Sequence, residues 1–250
     1  MQRYFINSDH WNDQNVQIVE DDYHHIVNVM RMSKEDKLIA NRDDGKSAIC
    51  EIDTISEDVV EAKVIEWLEE TTELPIAITI AHGLPKGDKW EFILQKGTEL
   101  GASHFIPFQA ERSVVKWEPK KVQKKLPRWQ KIVKEASEQA HRTRIPAVDT
   151  VLSTSKLISK SANYDWKFFA YEETTRGESS QKLHDYLSQI KLGQSVIVCV
   201  GPEGGFTEKE AVELRQAGFE SIRLGPRILR TETAPLYVLA NLSYYFEEMR

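Results

Sequence analysis

Two loops concentrate the residues able to hold and orient a small molecule. The first, Gly201-Pro202-Glu203-Gly204-Gly205-Phe206, follows the apolar run Val196-Ile197-Val198-Cys199-Val200. A helix start comes next, marked by the Thr207-x-x-Glu210 spacing of a capping box. A buried strand that runs into a glycine-rich loop and then a helix puts a ligand at the carboxyl end of the strand, where open α/β sheets bind them. Glycine lets the backbone approach that ligand closely and adopt positive φ. The spacing matches neither the G-x-G-x-x-G of dinucleotide binders nor the G-x-x-x-x-G-K-[ST] of a phosphate loop, and Glu203 stands where a phosphate would feel repulsion. A ligand without phosphate and with cationic character suits the loop better. A tight structural turn is the competing reading of this loop taken alone.

The second loop is Leu224-Gly225-Pro226-Arg227-Ile228-Leu229-Arg230-Thr231-Glu232-Thr233-Ala234-Pro235. It also follows a strand and leads into a helix whose first turn tolerates Pro235. Arginine suits planar hydrogen-bond recognition of a phosphate or a base edge, and two such loops side by side can share one ligand. S-adenosylmethionine has the required properties, being cationic and free of phosphate. A third cluster is Glu138-Gln139-Ala140-His141-Arg142, in which Glu138 and Arg142 stand i, i+4 on an expected helix. A surface ion pair is the plain reading of that pair. His24 and His25 are adjacent and so do not face each other on a helix, which argues against a metal site there.

Charge is distributed unevenly. The net charge is −6, which alone argues against nucleic acid. Between Arg112 and Arg144, however, eleven cationic side chains face only Glu118, Glu135 and Glu138, giving +8 against −14 for the remainder. Such asymmetry is the electrostatic footprint of a polyanionic partner, although a charge run is also the ordinary dress of a solvated helix face.

The elements that must position these residues fall into two stretches. Residues 37–41 read as a short strand, and residues 48–55 and 60–65 as strands of alternating apolar and polar residues, all preceded by a helix at 22–32. Several strands in so short a stretch suggest a small barrel over residues 1–72, with the polar segment Glu69 to Pro75 as a linker. From residue 73 the rhythm becomes α/β. Strands are expected at 76–81, 104–108, 167–171, 195–200 and 221–224, and helices at 86–100, 120–142, 180–190, 207–217 and 235–249. That alternation implies a mostly parallel sheet covered on both faces. No apolar run approaches the ~18 residues of a membrane helix, and the first residues lack the apolar core of a signal peptide, so a cytoplasmic protein is expected. Cys50 and Cys199 sit in apolar strands and are expected to be buried, not bridged or metal-bound.

The motifs together resemble the RsmE family, the small-subunit ribosomal RNA uridine-N3 methyltransferases of the SPOUT superfamily. The matching stretches are Gln95-Lys96-Gly97-Thr98-Glu99-Leu100-Gly101, Glu111-Arg112-Ser113, the Glu138 to Arg142 cluster and the two glycine-containing loops, in family order. The resemblance implies an N-terminal PUA-like, RNA-binding β-barrel and a C-terminal SPOUT-type α/β domain with a deep trefoil knot. It also implies a homodimer acting on small-subunit ribosomal RNA or the assembled small subunit, with no metal. Carried onto this chain, S-adenosylmethionine would be lined by Gly201, Pro202, Glu203, Gly204, Gly205, Leu224, Gly225, Ile228, Leu229 and Arg230, with Glu172 in a third wall. For the chemistry, Arg230 or Arg142 would stabilise charge and Glu232 or Glu138 would take a proton. Arg230 and Arg112 would place the substrate. A nucleotide-binding oxidoreductase or kinase is disfavoured by the absent phosphate motifs. A non-catalytic RNA-binding module leaves both loops unexplained.

Overall fold

The computed structural model describes residues 1–12, 14–69, 72–171 and 182–249. The chain divides into two units, residues 1–73 with 137–145, and residues 74–136 with 146–250.

The first unit is built on a five-stranded sheet. Its strands are β1 (Arg3–Ile6), β2 (Asn15–Ile18), β3 (Lys37–Arg42), β4 (Ser47–Ile55) and β5 (Val60–Leu68), in the order β1-β3-β4-β5-β2. β1 runs parallel to β3, with Arg3 opposite Ile39, and the other pairs are antiparallel. Alternate residues face inward, as a half-buried strand requires: Leu38 and Ala40, Ala48, Cys50 and Ile52, then Val60 and Ala62 form the core with Tyr4, Val16, Ile18 and Ile26. The three expected strands are present. β1 and β2 escaped the sequence reading because they are four residues long and pair with strands distant in sequence. The expected helix over 22–32 is a five-residue α1 (Glu20–His24) followed by a wider π-type turn over His25–Val29.

Glu73 organises the outlying segment of this unit. Its carboxylate pairs with the buried Arg142 guanidinium and accepts the backbone N–H of Thr143 at 3.0 Å and of Arg144 at 3.1 Å. Asn41, also buried, donates to the Arg142 carbonyl at 3.0 Å.

The second unit is a parallel sheet. Its strands are β6 (Ala77–Gly83), β7 (His104–Gln109), β8 (Ala147–Val148), β9 (Leu152–Ser153), β10 (Trp166–Ala170), β11 (Ser195–Val200) and β12 (Glu220–Ile222). The order is β12-β10-β11-β6-β7-β8, with β9 also on β7, and all the registered pairs are parallel. Along β11, Val196, Val198 and Val200 enter one apolar cluster while Ile197 and Cys199 enter another. The strand therefore reads as continuously apolar because both of its faces are covered. One cluster takes in α2 (Lys89–Glu99), α3 (Pro119–Gln139), α5 (Leu183–Leu187) and α7 (Thr233–Ser243), through Trp90, Trp129, Leu183 and Val238. The other takes in α4 (Thr154–Lys160) and α6 (Glu208–Gln216), through Leu157, Ala211 and Leu214. Both cysteines are buried as free thiols, and among the described residues no helix is long and apolar enough to cross a membrane.

Helix α3 stops three residues short of the expected end. His141 takes φ +56°, its N–H reaches the Glu138 carbonyl at 3.3 Å, and the Arg142 N–H reaches the Ser137 carbonyl at 2.9 Å. These two bonds are the pattern of a Schellman ending, with histidine in the place glycine usually takes. Arg142 therefore lies beyond the helix end and not at an i, i+4 helical position from Glu138. The expected helix over 235–249 is α7 and then a π-type turn over Tyr244–Glu248. Of the helix expected at 180–190, the described residues show α5.

Candidate functional site

The carboxyl ends of three adjacent parallel strands, β11, β10 and β12, open into a cavity of about 620 Å³. That is the size of a small-molecule site, and the strand ends are where such sheets bind ligands. Gly201 to Gly205 form one wall and Leu224, Gly225, Ile228, Leu229 and Arg230 another, with Ala170 and Tyr171 between. Arg112 and Lys89 also reach it. Glu172 lies outside the described residues. Glu138 and Arg142 belong to the first unit and are not among the lining residues.

The first loop is held from several sides. Phe206 plugs it into the core, its ring parallel to Phe108 at 6.2 Å and edge-on to Phe169 at 6.0 Å. The expected capping box is present: Thr207 Oγ1 accepts the Glu210 N–H at 3.2 Å and Glu210 Oε2 accepts the Thr207 N–H at 2.9 Å. Buried Glu210 also uses its other oxygen, accepting the Glu111 N–H at 2.9 Å. This second bond fixes the turn that carries Arg112, whose guanidinium donates to the Gly204 carbonyl at 3.1 Å. A Cβ on Gly204 would stand 3.0 Å from the Arg112 Cβ, and one on Gly83 would stand 2.6 Å from Pro202 Cδ. Both glycines are needed for close approach, Gly204 for the arginine and Gly83 for the loop lying on β6.

The two loops are tied to each other by groups the sequence reading did not single out. Thr231 Oγ1 donates to the Gly201 carbonyl at 2.6 Å. His82, fully buried at the end of β6, places Nε2 3.0 Å from the Thr231 carbonyl and Nδ1 2.6 Å from the Gly83 carbonyl. Burial pushes the His82 pKa down, and the neutral ring has a single N–H for these two acceptors. Lys89, at the start of α2, donates to Glu203 Oε1 at 2.9 Å and stands 3.2 Å from Glu232 Oε2. The second contact is an ion pair without hydrogen-bond geometry, so that buried oxygen keeps a free acceptor position. No spacing rule marks Lys89, because its partners lie more than a hundred residues away. His82 gave a faint signal, a lone imidazole closing an apolar strand.

Electrostatics follow from this clamp. Burial raises the Glu203 carboxyl, yet the hydrogen bonds from Lys89 and the Lys86 amide outweigh it and hold the group below the ordinary glutamate value. Glu232 behaves alike: burial raises it, and backbone hydrogen bonding with the nearby Lys89 and Arg230 charges brings it below. The Glu203 hydrogen bond raises Lys89 in turn. Glu203 is thus not a bare anion aimed at a ligand, since Lys89 compensates it within the wall.

The lining suits a flat, partly apolar adenosyl compound. Leu224, Ile228, Leu229 and Phe206 offer apolar surface beside main-chain polar groups. Gly205, at φ +66°, leaves open space where a side chain would otherwise begin.

Comparison with known proteins gives this arrangement its class. Residues 72–243 match the family model of the RNA methyltransferase domain, and residues 19–65 match that of the RNA methyltransferase PUA domain. The chain is an RNA methyltransferase. It is 47% identical to the ribosomal RNA small subunit methyltransferase E of Bacillus subtilis, over 100% of this chain and 99% of that one. Its counterpart in Synechocystis is 35% identical over 90% of this chain and 71% of that one. A crystal structure of ribosomal RNA small subunit methyltransferase E from Neisseria gonorrhoeae, bound to S-adenosyl methionine, superposes with a TM-score of 0.85 at 30% identity, covering 98% of each chain. The protein belongs to the ribosomal RNA small subunit methyltransferase E family.

Proposed function

We propose that this protein uses S-adenosylmethionine to methylate N3 of a uridine in small-subunit ribosomal RNA. The observation that carries the reading is the single cavity enclosed by the two glycine-containing loops, with Arg112 and Arg230 beside it. S-adenosylmethionine, held by Gly201–Gly205 and by the Leu224 to Arg230 loop, supplies an activated methyl group. Uridine N3 carries an imide proton, so the protein must align the base, relieve that proton and stabilise charge on O2 and O4. Arg230, exposed on the second loop, supplies the positive charge. It is preferred to Arg142, whose guanidinium is committed to Glu73. Glu232, held ionised beside Lys89, does not itself line the cavity but directly follows Arg230 and Thr231, which do, and is the candidate acceptor for the proton. Glu138 is the lesser candidate because it belongs to the first unit and not to the loops that line the cavity. Arg112 places the substrate while bracing Gly204. A paired base hides N3, so the target uridine is unpaired or flipped out.

The same reading makes the protein a cytoplasmic homodimer with its second unit threaded as a trefoil knot, acting on the RNA or the assembled small subunit. The test is to incubate it with methyl-labelled S-adenosylmethionine and small subunits from cells lacking it, then digest the RNA and identify the labelled nucleoside. Label in 3-methyluridine is expected. Label in any other nucleoside overturns the target, and no transfer together with no binding of S-adenosylhomocysteine overturns the whole reading.

A further inference from the structure

The two units differ sharply in charge. The first carries 19 acidic against 9 basic side chains, and the second 20 against 24. The densest run of cations lies in the second unit, between Arg112 and Lys134, where Glu118 is the one acid among nine cations. Not all nine are available. Arg112 bonds Gly204, Lys125 lies over the Trp117 ring at 5.4 Å, and Arg128 grips Glu91 through two hydrogen bonds of 2.8 and 2.7 Å. Lys131 and Lys134 also have contacts within the protein.

Four remain. Lys116, Lys120, Lys121 and Lys124 are exposed, and their ammonium groups have no hydrogen bond or ion pair among the described residues. The opposite side of α3 is occupied by Val122, Trp129 and Val133 in the core, so Lys120, Lys121 and Lys124 are held on its solvent side, while Lys116 stands in the segment that leads into the helix. Lys120 and Lys124 stand one turn apart, about 6 Å along the axis. Like charges at that spacing repel and destabilise the helix, and nothing within the described structure offsets them. The row begins four residues after Arg112, which itself lines the ligand cavity.

We propose that Lys116, Lys120, Lys121 and Lys124 form a track for the sugar–phosphate strand flanking the nucleotide to be methylated. The inference rests on the reading of the chain as an RNA-modifying enzyme and adds where the substrate's backbone lies. The lysines make contacts to phosphate that carry no sequence information, while the cavity selects the base. Each phosphate neutralised on a single strand releases counterions and adds about 0.7 to the slope of log affinity against log salt.

The experiment measures binding of a short mixed-sequence single-stranded RNA across a salt series. It compares the wild-type protein with K116Q/K120Q/K121Q/K124Q and with K156Q/K191Q, a control on two exposed lysines elsewhere in the same unit. The track predicts a slope flatter by about 3 in the quadruple variant and, near 0.1 M salt, a loss of affinity of roughly several hundredfold. The control keeps the wild-type slope, and both variants bind S-adenosylhomocysteine as the wild type does. An unchanged slope in the quadruple variant overturns the track even if methyl transfer by the wild type is sound. A changed oligomeric state with an unchanged RNA slope overturns it in favour of a protein contact. Failure of the wild-type protein to bind RNA or transfer methyl at all overturns the parent reading instead.

Discussion

The two units spend their charged groups in opposite ways. In the first, the ion pair of Glu73 with Arg142 is structural: the carboxylate accepts from the guanidinium and from the Thr143 and Arg144 amides of one short segment, and the guanidinium is almost wholly out of water. In the second, the pairs around the cavity are half-exposed and hold loops, not layers. Lys89 stands between two carboxylates at the lip of a ligand site, and Arg230 on the same rim is exposed. The lesson is that arginines in recognisable motifs can stand in very different surroundings, one buried against a carboxylate and one exposed at the rim of a cavity.

That contrast can be broken by substitution. The largest effect is expected for Arg230→Ala, which should lower methyl transfer by about 10²–10³, the range for a lost charge-stabilising group, with an unchanged urea midpoint. A lowered midpoint with normal turnover per folded molecule would erase the distinction. Arg142→Ala should do the reverse. Removing the guanidinium from the partly buried Glu73 carboxylate should cost about 3 kcal/mol of stability in urea unfolding, the low end for a broken buried pair because two amide bonds to the carboxylate remain, and the surviving folded protein should bind S-adenosylhomocysteine normally.

Lys89→Met should fall between them. Calorimetry should show S-adenosylhomocysteine binding about fivefold to tenfold weaker, a modest loss because the ammonium is partly exposed. Lysine to arginine should restore part of it. The pH dependence of that binding sharpens the same point. Glu203 and Glu232 titrate below the ordinary value of 4.5. The clamp is therefore complete above that value and lost only as pH falls through the lowered folded values. Affinity should stay flat from neutral pH to about 5 and decline below 4.5. A decline beginning at pH 6 would mean that the carboxyls are not held ionised. The smallest effect is expected for Thr207→Ala, about 1 kcal/mol of stability from the lost cap.

Much of the second unit was legible because its signals are local. A strand, a glycine loop and a capping box in succession announced the first wall of the cavity, and Gly225-Pro226 with two arginines announced the second. The continuous apolar run of β11 gave the two-faced sheet. What stayed hidden is held by contacts between residues distant in sequence. Lys89 with Glu203, His82 with Thr231, and the second bond of Glu210 to Glu111 have no periodicity to betray them. The end of α3 was misjudged for a local reason, since histidine in a left-handed conformation carries no glycine flag. In the first unit β1 and β2 were missed because their partners are non-local. The motif offers Arg142 beside Arg230 as a charge-stabilising group, and its burial against Glu73 has no local signal in the sequence.

The left-handed turn at His141 has a consequence for how the protein can be taken apart. Because Ser137–Ile145 belongs with residues 1–73, the polypeptide passes from one unit to the other three times. A cut in the polar segment near Glu73 would therefore not yield two independent pieces. A fragment starting at Leu74 would carry a strip of its neighbour's interior, with Arg142 stripped of its carboxylate, and a fragment ending at Glu73 would lack the strip that Asn41 and Glu73 hold. The unit that carries the PUA match is not continuous along the chain, and swapping it between relatives would require exchanging both segments together.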